Sequence, residues 1–541
     1  MKVIIIGGVA AGTKAAAKLK REDRSAQVTI LTKSEDISYA GCGLPYYVGD
    51  VIKERKQLIV NTPQSFAKLT GADVHTLTEV ISIDRAAKEV TAVDLTTKEE
   101  TRYSYDKLII ATGASPIRPR VEGTELKNVF YMRTPQDAQD LRDAAASGTI
   151  RRAVVAGGGF IGLEVAENLA SQGIKVSVID MAEHIMPGFD PEMAEFVENH
   201  LADEGIMPFT NTKLEAILGT EKVEKVQTSR KAMKADAAVL CLGIRPNTQF
   251  LDGSGIELTQ GGTVLVNEYM QTNDADIYAL GDCACVTNRI TGAPAWSPMG
   301  SSANIEGRLA AIGLAGEGKP YPGVLGTGIV KLPGLNAGRT GLTESAARDA
   351  GFDPVTVTCV VDDKAHYYPD ASYFIIKLIA DKKTERFLGI QCLGKGAVDK
   401  IIDIAVMALS MKAVLSDLEN LDFAYAPPFS TAIHPLEHAV NILINKISGR
   451  LESITPSEFA AGAAEGYRVI DASMSPSIEG VDFLDLANVN GVQPQYAADD
   501  KLLLVCAKGK RAYMLQNRLK YYGYTNTKVL EGGTTFNGAE F

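Results

Sequence analysis

The chain lacks a long apolar run: nowhere in its 541 residues do about 18 uncharged apolar residues follow one another, so no membrane-spanning helix is expected. It lacks an excess of positive charge. Its 55 Lys and Arg stand against 66 Asp and Glu, a net charge of −11, which argues against nucleic acid or an anionic membrane as partner. Cysteine is sparse. The seven, Cys42, Cys241, Cys283, Cys285, Cys359, Cys392 and Cys506, are odd in number and scattered. That excludes a disulfide framework and fits a reduced, cytoplasmic setting. No Cys/His cluster has zinc-ligand spacing, so no metal is expected. The opening "MKVIIIGG" is too short for a secretory signal and runs straight into a glycine turn. It reads as a buried first strand.

What is present is ordinary globular composition, 45% apolar and 22% charged, at a length that predicts three or four domains. Two stretches, "KVIIIGGVAAGTKAAAKLKR" (2–21) and "RAVVAGGGFIGLEVAENLASQG" (152–173), each read as apolar strand, glycine turn and alanine-rich helix. Each leads into a further strand, "QVTILT" (27–32) and "KVSVID" (175–180). This is a βαβ dinucleotide-binding pattern, found twice. "KLIIATGASP" (107–116) and "AAVLCLGIRPN" (237–247) end in glycine turns and mark crossings between the two nucleotide domains. From about 322 the pattern changes to alternating strands and then helices. "NKISGRLESITPSEF" (445–459) is polar, with Gly and Pro, and reads as a linker to a compact C-terminal α/β unit.

In the second glycine turn, Gly157, Gly159 and Gly162 complete G-x-G-x-x-G. The first permits a tight turn, the second lets backbone approach a pyrophosphate, and the third lets helix pack closely on strand. Asp180, eighteen residues beyond Gly162, is placed to accept from ribose hydroxyls and to repel a 2′-phosphate, which favours NADH over NADPH. The first turn, Gly7 to Gly12, carries Val9 where a middle glycine is expected, and Thr32 where an acid is expected. Asp282, ending "YALGD", could face the ribityl side of a flavin nucleotide.

The ordered set GGVAAG, S-Y-A-G-C-G-L-P-Y-Y, ATGASP, GGGFIG, LGIRPN and YALGD resembles the pyridine nucleotide–disulfide oxidoreductases over roughly residues 1–445. Many of these carry C-x4-C. Here Tyr47 stands where the second sulfur would be, and the lone Cys42 resembles the branch of coenzyme A-disulfide reductases and NADH oxidases. The resemblance implies an α/β protein with two Rossmann-like domains: an FAD domain (1–112 and 248–321) and an NAD(H) domain (113–247). It further implies an α+β dimerisation domain (322–445) and a homodimer. The implied FAD residues are Gly7, Ala11, Gly12, Lys33, Thr112, Gly113 and Asp282. Those for NADH are Gly157, Gly159, Gly162, Asp180 and Gly243.

By the same resemblance Cys42 sits beside the flavin and cycles between a thiolate, with a lowered pKa, and an adduct to an external sulfur or oxygen. Peroxidases and oxidases of the family place a histidine in the first glycine turn, but this chain has Val9-Ala10-Ala11, which disfavours stabilising Cys–SOH. In the coenzyme A branch, tyrosines of the partner subunit approach the cysteine, and "HYYPD" and "FAYAPPFS" supply Tyr367 and Tyr425. Lys14, Lys18 and Arg21 recur on one helix face and, with Ser38 and Asn304, are implied to contact coenzyme A. Ile433-His434-Pro435 departs from the family's Lys-Asp-Pro, and His434 reads as structural.

The C-terminal unit (455–541, after a linker at 446–454) carries "VCAKGKRAYM". Cys506 ends a strand and Arg511 opens a helix, a C-x4-R loop that can curl N–H groups around one sulfur anion. With "VIDAS" and "VLEGG" it resembles a rhodanese, although Ser473 stands where rhodaneses usually have Arg. Together the two resemblances imply an NADH- and FAD-dependent reductase of coenzyme A persulfide, and of polysulfide, that releases hydrosulfide. The alternatives are a coenzyme A-disulfide reductase with an accessory rhodanese, an NADH oxidase, or a redox or persulfide sensor.

Overall fold

A computed structural model describes residues 1–539; the last two residues of the expected 455–541 unit lie outside the described residues. The chain divides into two compact units, Met1–Ile185 with Leu201–Val324, and Met186–His200 with everything from Leu325 onward.

The first unit holds both dinucleotide folds. In the first, strand Lys2–Ile6 lies between Gln27–Leu31 and Lys107–Ile110, all parallel, with Ile277–Ala279 at one edge and Asp73–His75 at the other. The central strands Lys2–Ile6 and Lys107–Ile110 are wholly Val, Ile and Leu after their opening lysines because both faces of a parallel sheet are covered. Helix Ala10–Glu22 covers one face and packs on helix Gly300–Leu314, where a Cβ on Gly307 would stand 2.5 Å from the Ala11 carbonyl. In the second fold, strand Arg152–Ala156 lies between Lys175–Ile179 and Ala237–Leu240, again parallel. The crossings expected near 113 and 243 are a short antiparallel pair, Ala114–Pro116 with Ile244–Pro246. Asn247 locks it: its side-chain amide donates to the Thr112 carbonyl at 2.9 Å, and Thr112 Oγ1 donates back to the Asn247 carbonyl at 2.7 Å.

Among the described residues the second unit contains two sheets. One is antiparallel with five strands, the longest being Pro354–Asp362 and Tyr373–Asp381. The other is the all-parallel C-terminal sheet, with Leu502–Val505 at its centre. The expected linker at 446–454 is mostly built into elements. Helix Pro435–Ile447 occupies its start, and Ser453–Ile454 pairs in parallel with Thr527–Leu530. Polar composition alone signalled a loose tether; edge pairing overrides it.

The two sheets are also fastened directly. Glu531 is 4% exposed and accepts from the Thr358 N–H at 2.8 Å, the Ser453 hydroxyl at 2.6 Å and Lys446 Nζ at 2.6 Å. Lys508 pairs with Asp362, while Phe196 of helix Pro191–Asp203 stacks on Phe536 with centroids 5.3 Å apart.

Candidate active site

The two glycine turns have the shape that a dinucleotide requires. Gly7 (φ +114°) and Gly157 (φ +113°) sit in left-handed backbone, and a Cβ there would fall 2.1 Å from the Ala111 carbonyl oxygen or 2.0 Å from that of Cys241. Gly162 is packed just as closely, its Cβ position 1.9 Å from the Gly157 carbonyl. Gly159 differs: nothing lies within 4 Å, which leaves the open approach that a pyrophosphate needs. Helices Ala10–Glu22 and Phe160–Ala170 follow with no side-chain N-cap, and a helix N-terminus of this kind suits a phosphate.

A cavity over the first turn is lined by Gly7, Ala11, Lys33, Thr112, Gly113 and Asp282, and Arg133 also reaches it. A second cavity continues past Thr32, Lys33 and Glu79. The Asp282 carboxylate lies 3.1 Å from the Arg133 guanidinium, and its carbonyl accepts from the Trp296 indole N–H at 2.9 Å. Behind it Glu306, 1% exposed, accepts the Gly281 N–H at 2.6 Å, and burial raises its pKa to about 7. The residues present fit a flavin nucleotide: glycine backbone for the diphosphate, an acid at the far strand end, and an arginine over it. Asp180 ends strand Lys175–Ile179, where its two carboxylate oxygens accept the N–H groups of Gly158 at 2.7 Å and Ala182 at 2.8 Å. Gly243 (φ +96°) lies at the crossing.

Cys42 is exposed in the turn Gly41–Gly43, ahead of helix Leu44–Val48. Its Sγ lies 3.9 Å from where a Cβ on Gly300 would be, at the start of helix Gly300–Leu314. Tyr46, one helical turn on, donates its hydroxyl hydrogen to Glu164 at 3.1 Å. Burial raises the pKa of Glu164 to about 7, and Glu167 raises it further against the Tyr46 hydrogen bond. The Cys42 thiol does not have the lowered pKa expected for it. Partial burial pushes it up, the charges of Glu164 and Asp282 add to that, and Arg133 opposes them. The protein's own groups thus hold a thiol rather than a thiolate.

The basic helix face is weaker than its spacing implied, because Lys18 is paired with Glu22 and only Lys14 and Arg21 lack an ion pair among the described residues. Ser38 holds the turn in place, with φ +48° and its N–H on the Gly8 carbonyl at 2.8 Å. Asn304 is exposed and donates to the Gly300 carbonyl at 2.8 Å.

In the second unit Tyr367 and Tyr425, 66% and 49% exposed, meet through their side chains, and that hydrogen bond raises the Tyr425 pKa. Elsewhere in the unit Cys506 is 4% exposed, more enclosed than a reactive sulfur in an open loop would be. Arg511 does not point freely into that loop: it donates to the Ala472 carbonyl at 3.0 Å and to Asp485 at 3.2 Å. His434 caps helix Pro435–Ile447, its Nδ1 accepting the Leu436 N–H at 3.2 Å.

Motif reading did not single out Tyr46, Arg133, Glu164, Glu306 or Trp296. Tyr46 and Glu164 stand inside quoted motifs, but their pairing spans 118 residues and has no local signal. Among the described residues no helix is long and apolar enough to cross a membrane, and no group of three or more His, Cys, Asp or Glu could hold a metal.

Comparison with known proteins agrees with this geometry. An NADH oxidase of Methanocaldococcus jannaschii is 34% identical over 83% of this chain and all of its own length. An NAD(P)H coenzyme A polysulfide/persulfide reductase of Pyrococcus horikoshii is 36% identical over 80% of this chain and 96% of its own. The solved structure of an NAD-dependent persulfide reductase from A. fulgidus superposes with a TM-score of 0.93 at 35% identity, covering 99% of this chain and all of that one. The model of the pyridine nucleotide-disulphide oxidoreductases matches residues 1–300, and that of their dimerisation domain matches 329–436. The chain belongs to the pyridine nucleotide-disulphide oxidoreductase family and is an FAD- and NAD(P)H-dependent oxidoreductase.

Proposed function

We propose that the protein is an NADH-dependent reductase of coenzyme A persulfide, with polysulfide as a further sulfane-sulfur substrate. The observation that carries this reading is Cys42: an exposed thiol, bonded to no second cysteine, beside a phenol–carboxyl pair. FAD, when bound, supplies the two-electron link between NADH and this sulfur. The Cys42 thiolate attacks the outer sulfur of CoA–S–SH, the S–S bond breaks, and coenzyme A thiolate leaves. Two electrons then cleave the Cys42 persulfide, hydrosulfide departs and the Cys42 thiolate returns. The Tyr46–Glu164 pair takes the Cys42 proton and returns one to a departing sulfur, a task suited to a carboxyl with a pKa of about 7.

Oxygen chemistry is disfavoured by Ala10, which stands where oxidases of the family place histidine. The persulfide and disulfide readings share Cys42, and the names of the relatives at 36% and 35% identity favour persulfide. In this reading the functional unit is a homodimer, supported by the matched dimerisation domain, with Tyr367 and Tyr425 of one subunit completing the other's site. Coenzyme A lies along Lys14, Arg21, Ser38 and Asn304. The C-terminal unit is a rhodanese whose Cys506 loads sulfane sulfur, supported by its C-x4-R loop and parallel sheet.

The test is anaerobic NADH oxidation with coenzyme A persulfide, oxidised coenzyme A and, separately, oxygen. Persulfide should give the highest kcat/KM. Cys42→Ser should keep FAD and still accept hydride from NADH, yet lose persulfide turnover. Persulfide turnover retained in that variant removes Cys42 from its role. Light scattering at assay concentration should give a dimer, and a fully active monomer would return both tyrosines to ordinary surface positions.

A further inference from the structure

Two helices of the second unit begin at one cavity, whose lining includes no residue of the Cys506 loop. Helix Val398–Ser410 starts after Gly396 and Ala397, and no side chain caps it. Helix Pro435–Ile447 starts at His434. Both starts line a cavity of about 170 Å³, together with Asp363, Lys364, Lys400 and Ser430.

Ser430 is 1% exposed, and its hydroxyl has no hydrogen-bond partner among the described residues. A buried hydroxyl left unpaired is destabilising and is available to a ligand. His434 uses Nδ1 to accept the Leu436 N–H, so its neutral ring carries hydrogen on Nε2 and is a donor there. Asp363 is the one carboxylate in the lining: one oxygen accepts the Ser372 N–H at 2.7 Å, and the other lies 3.9 Å from Lys364 Nζ. Lys400 has no ion-pair partner among the described residues. The acids of the two first turns, Asp399 and Glu437, are outside the lining, and Glu437 accepts the His434 N–H at 3.0 Å. Two lysines against one carboxylate leave a positive charge, and the unused polar groups are donors. Two helix N-termini add to the same sign of potential.

We propose that this cavity binds a tetrahedral oxyanion, held by Ser430 Oγ, His434 Nε2, the Lys400 ammonium and the N–H groups of Asp399 and Lys400 in the first turn of helix Val398–Ser410, the Val398 N–H being spent on the Gly396 carbonyl at 2.9 Å. The anion is either a phosphoryl group of a larger ligand or a free inorganic ion such as phosphate or thiosulfate. The proposal does not rest on the function proposed above, although Lys364 and Phe429 stand three and four residues from Tyr367 and Tyr425, and a protein inert toward coenzyme A persulfide could still carry the site.

The test uses the full-length flavoprotein with its nucleotide site filled by NAD⁺, titrated calorimetrically with inorganic phosphate. One saturable site is expected. Ser430→Ala and Lys400→Met should each weaken it at least tenfold and abolish the rise in melting temperature that phosphate brings. Ser430→Ala removes a hydroxyl with no partner, so the phosphate-free fold should be unharmed. Displacement by coenzyme A but not thiosulfate assigns the site to a phosphoryl group; displacement by thiosulfate alone assigns it to the free ion. Absence of saturation, or equal affinity in both variants and the parent, would mean an adventitious ion only and overturn the proposal.

Discussion

The hydroxyl of Tyr46 donates to Glu164 across 3.1 Å, joining the helix that follows Cys42 to the helix of the second glycine turn. Glu164, when charged, holds the Cys42 thiol up, and burial brings its own pKa to about 7. Replacing it by Gln removes that negative charge, so the Cys42 pKa should fall. Alkylation of Cys42 by iodoacetamide at pH 7 should then be about threefold faster, since thiolate is the reactive form. Glu164→Gln should also remove an ionisation near pH 7 from the pH profile of persulfide reduction. An unchanged alkylation rate and profile would detach the pair from the thiol.

Asp180 is held rigidly at its strand end by the N–H groups of Gly158 and Ala182. A fixed carboxylate there should disfavour a 2′-phosphate, giving at least a tenfold preference for NADH in kcat/KM, about 1.4 kcal/mol. Asp180→Ala combined with Met181→Arg should narrow or reverse it; Met181 is 74% exposed and can accept a long cation. Comparable kinetics with NADPH in the parent protein would remove Asp180 from this role.

Cys506 separates the persulfide reading from the disulfide one. If the C-terminal unit relays sulfur, Cys506→Ala should lower turnover with polymeric or bulky sulfane donors several-fold and spare turnover with oxidised coenzyme A. Mass spectrometry after incubation with a persulfide donor should show a gain of about 32 Da at Cys506, one sulfur. Because Cys506 is only 4% exposed, loading should be slower in the folded protein than in a denatured control. No gain of sulfur and no loss of turnover would make the unit a passenger.

Glu531 links the C-terminal sheet to the antiparallel one through Thr358, Ser453 and Lys446. Glu531→Leu leaves the Lys446 ammonium with only the Thr356 carbonyl as acceptor and the Thr358 N–H with none, at a cost of about 3–5 kcal/mol. Urea denaturation should then show an earlier transition for the C-terminal residues, and limited proteolysis should cut within 448–452. A single unshifted transition would mean that the stacked pair Phe196–Phe536 and the Lys508–Asp362 contact suffice alone.

His434 is neutral in the folded protein: burial lowers its pKa to about 4, and the charges of Lys400 and His438 act in the same direction. The unfolded chain therefore binds the proton first. Stability from this residue is present above pH 6.5 and is lost as pH falls toward 4. His434→Asn keeps a good N-cap. It should flatten the acid side of the stability curve between those limits, read by thermal melts from pH 7 to 4. An unaltered slope would assign the acid sensitivity to other groups.

The glycine turns were legible in the sequence because their geometry is local: Gly157, Gly159 and Gly162 encode a turn, an open approach and a close packing within six residues. The parallel strands were legible for a similar reason, since burial on both faces writes itself as unbroken apolar residues, Val-Ile-Ile-Ile in one and Ala-Val-Val-Ala in the other. The position of Cys42 between two glycines was equally plain, but its electrostatics were not. Those depend on Glu164, Asp282 and Arg133, which come from distant parts of the chain and meet only after folding. The Lys18–Glu22 pair that thins the basic face was in principle readable at i, i+4. The 445–459 stretch shows the converse: polar, Gly- and Pro-bearing composition signals a loop, while Ser453–Ile454 finds a strand partner some 75 residues on and Glu531 closes the joint. Sequence by itself determined which elements form and which chemical groups they carry, because propensity, periodicity and turn chemistry act over a few residues. Tertiary structure alone decided protonation, pairing and enclosure, because these depend on which charges and surfaces the fold brings within a few ångströms of one another.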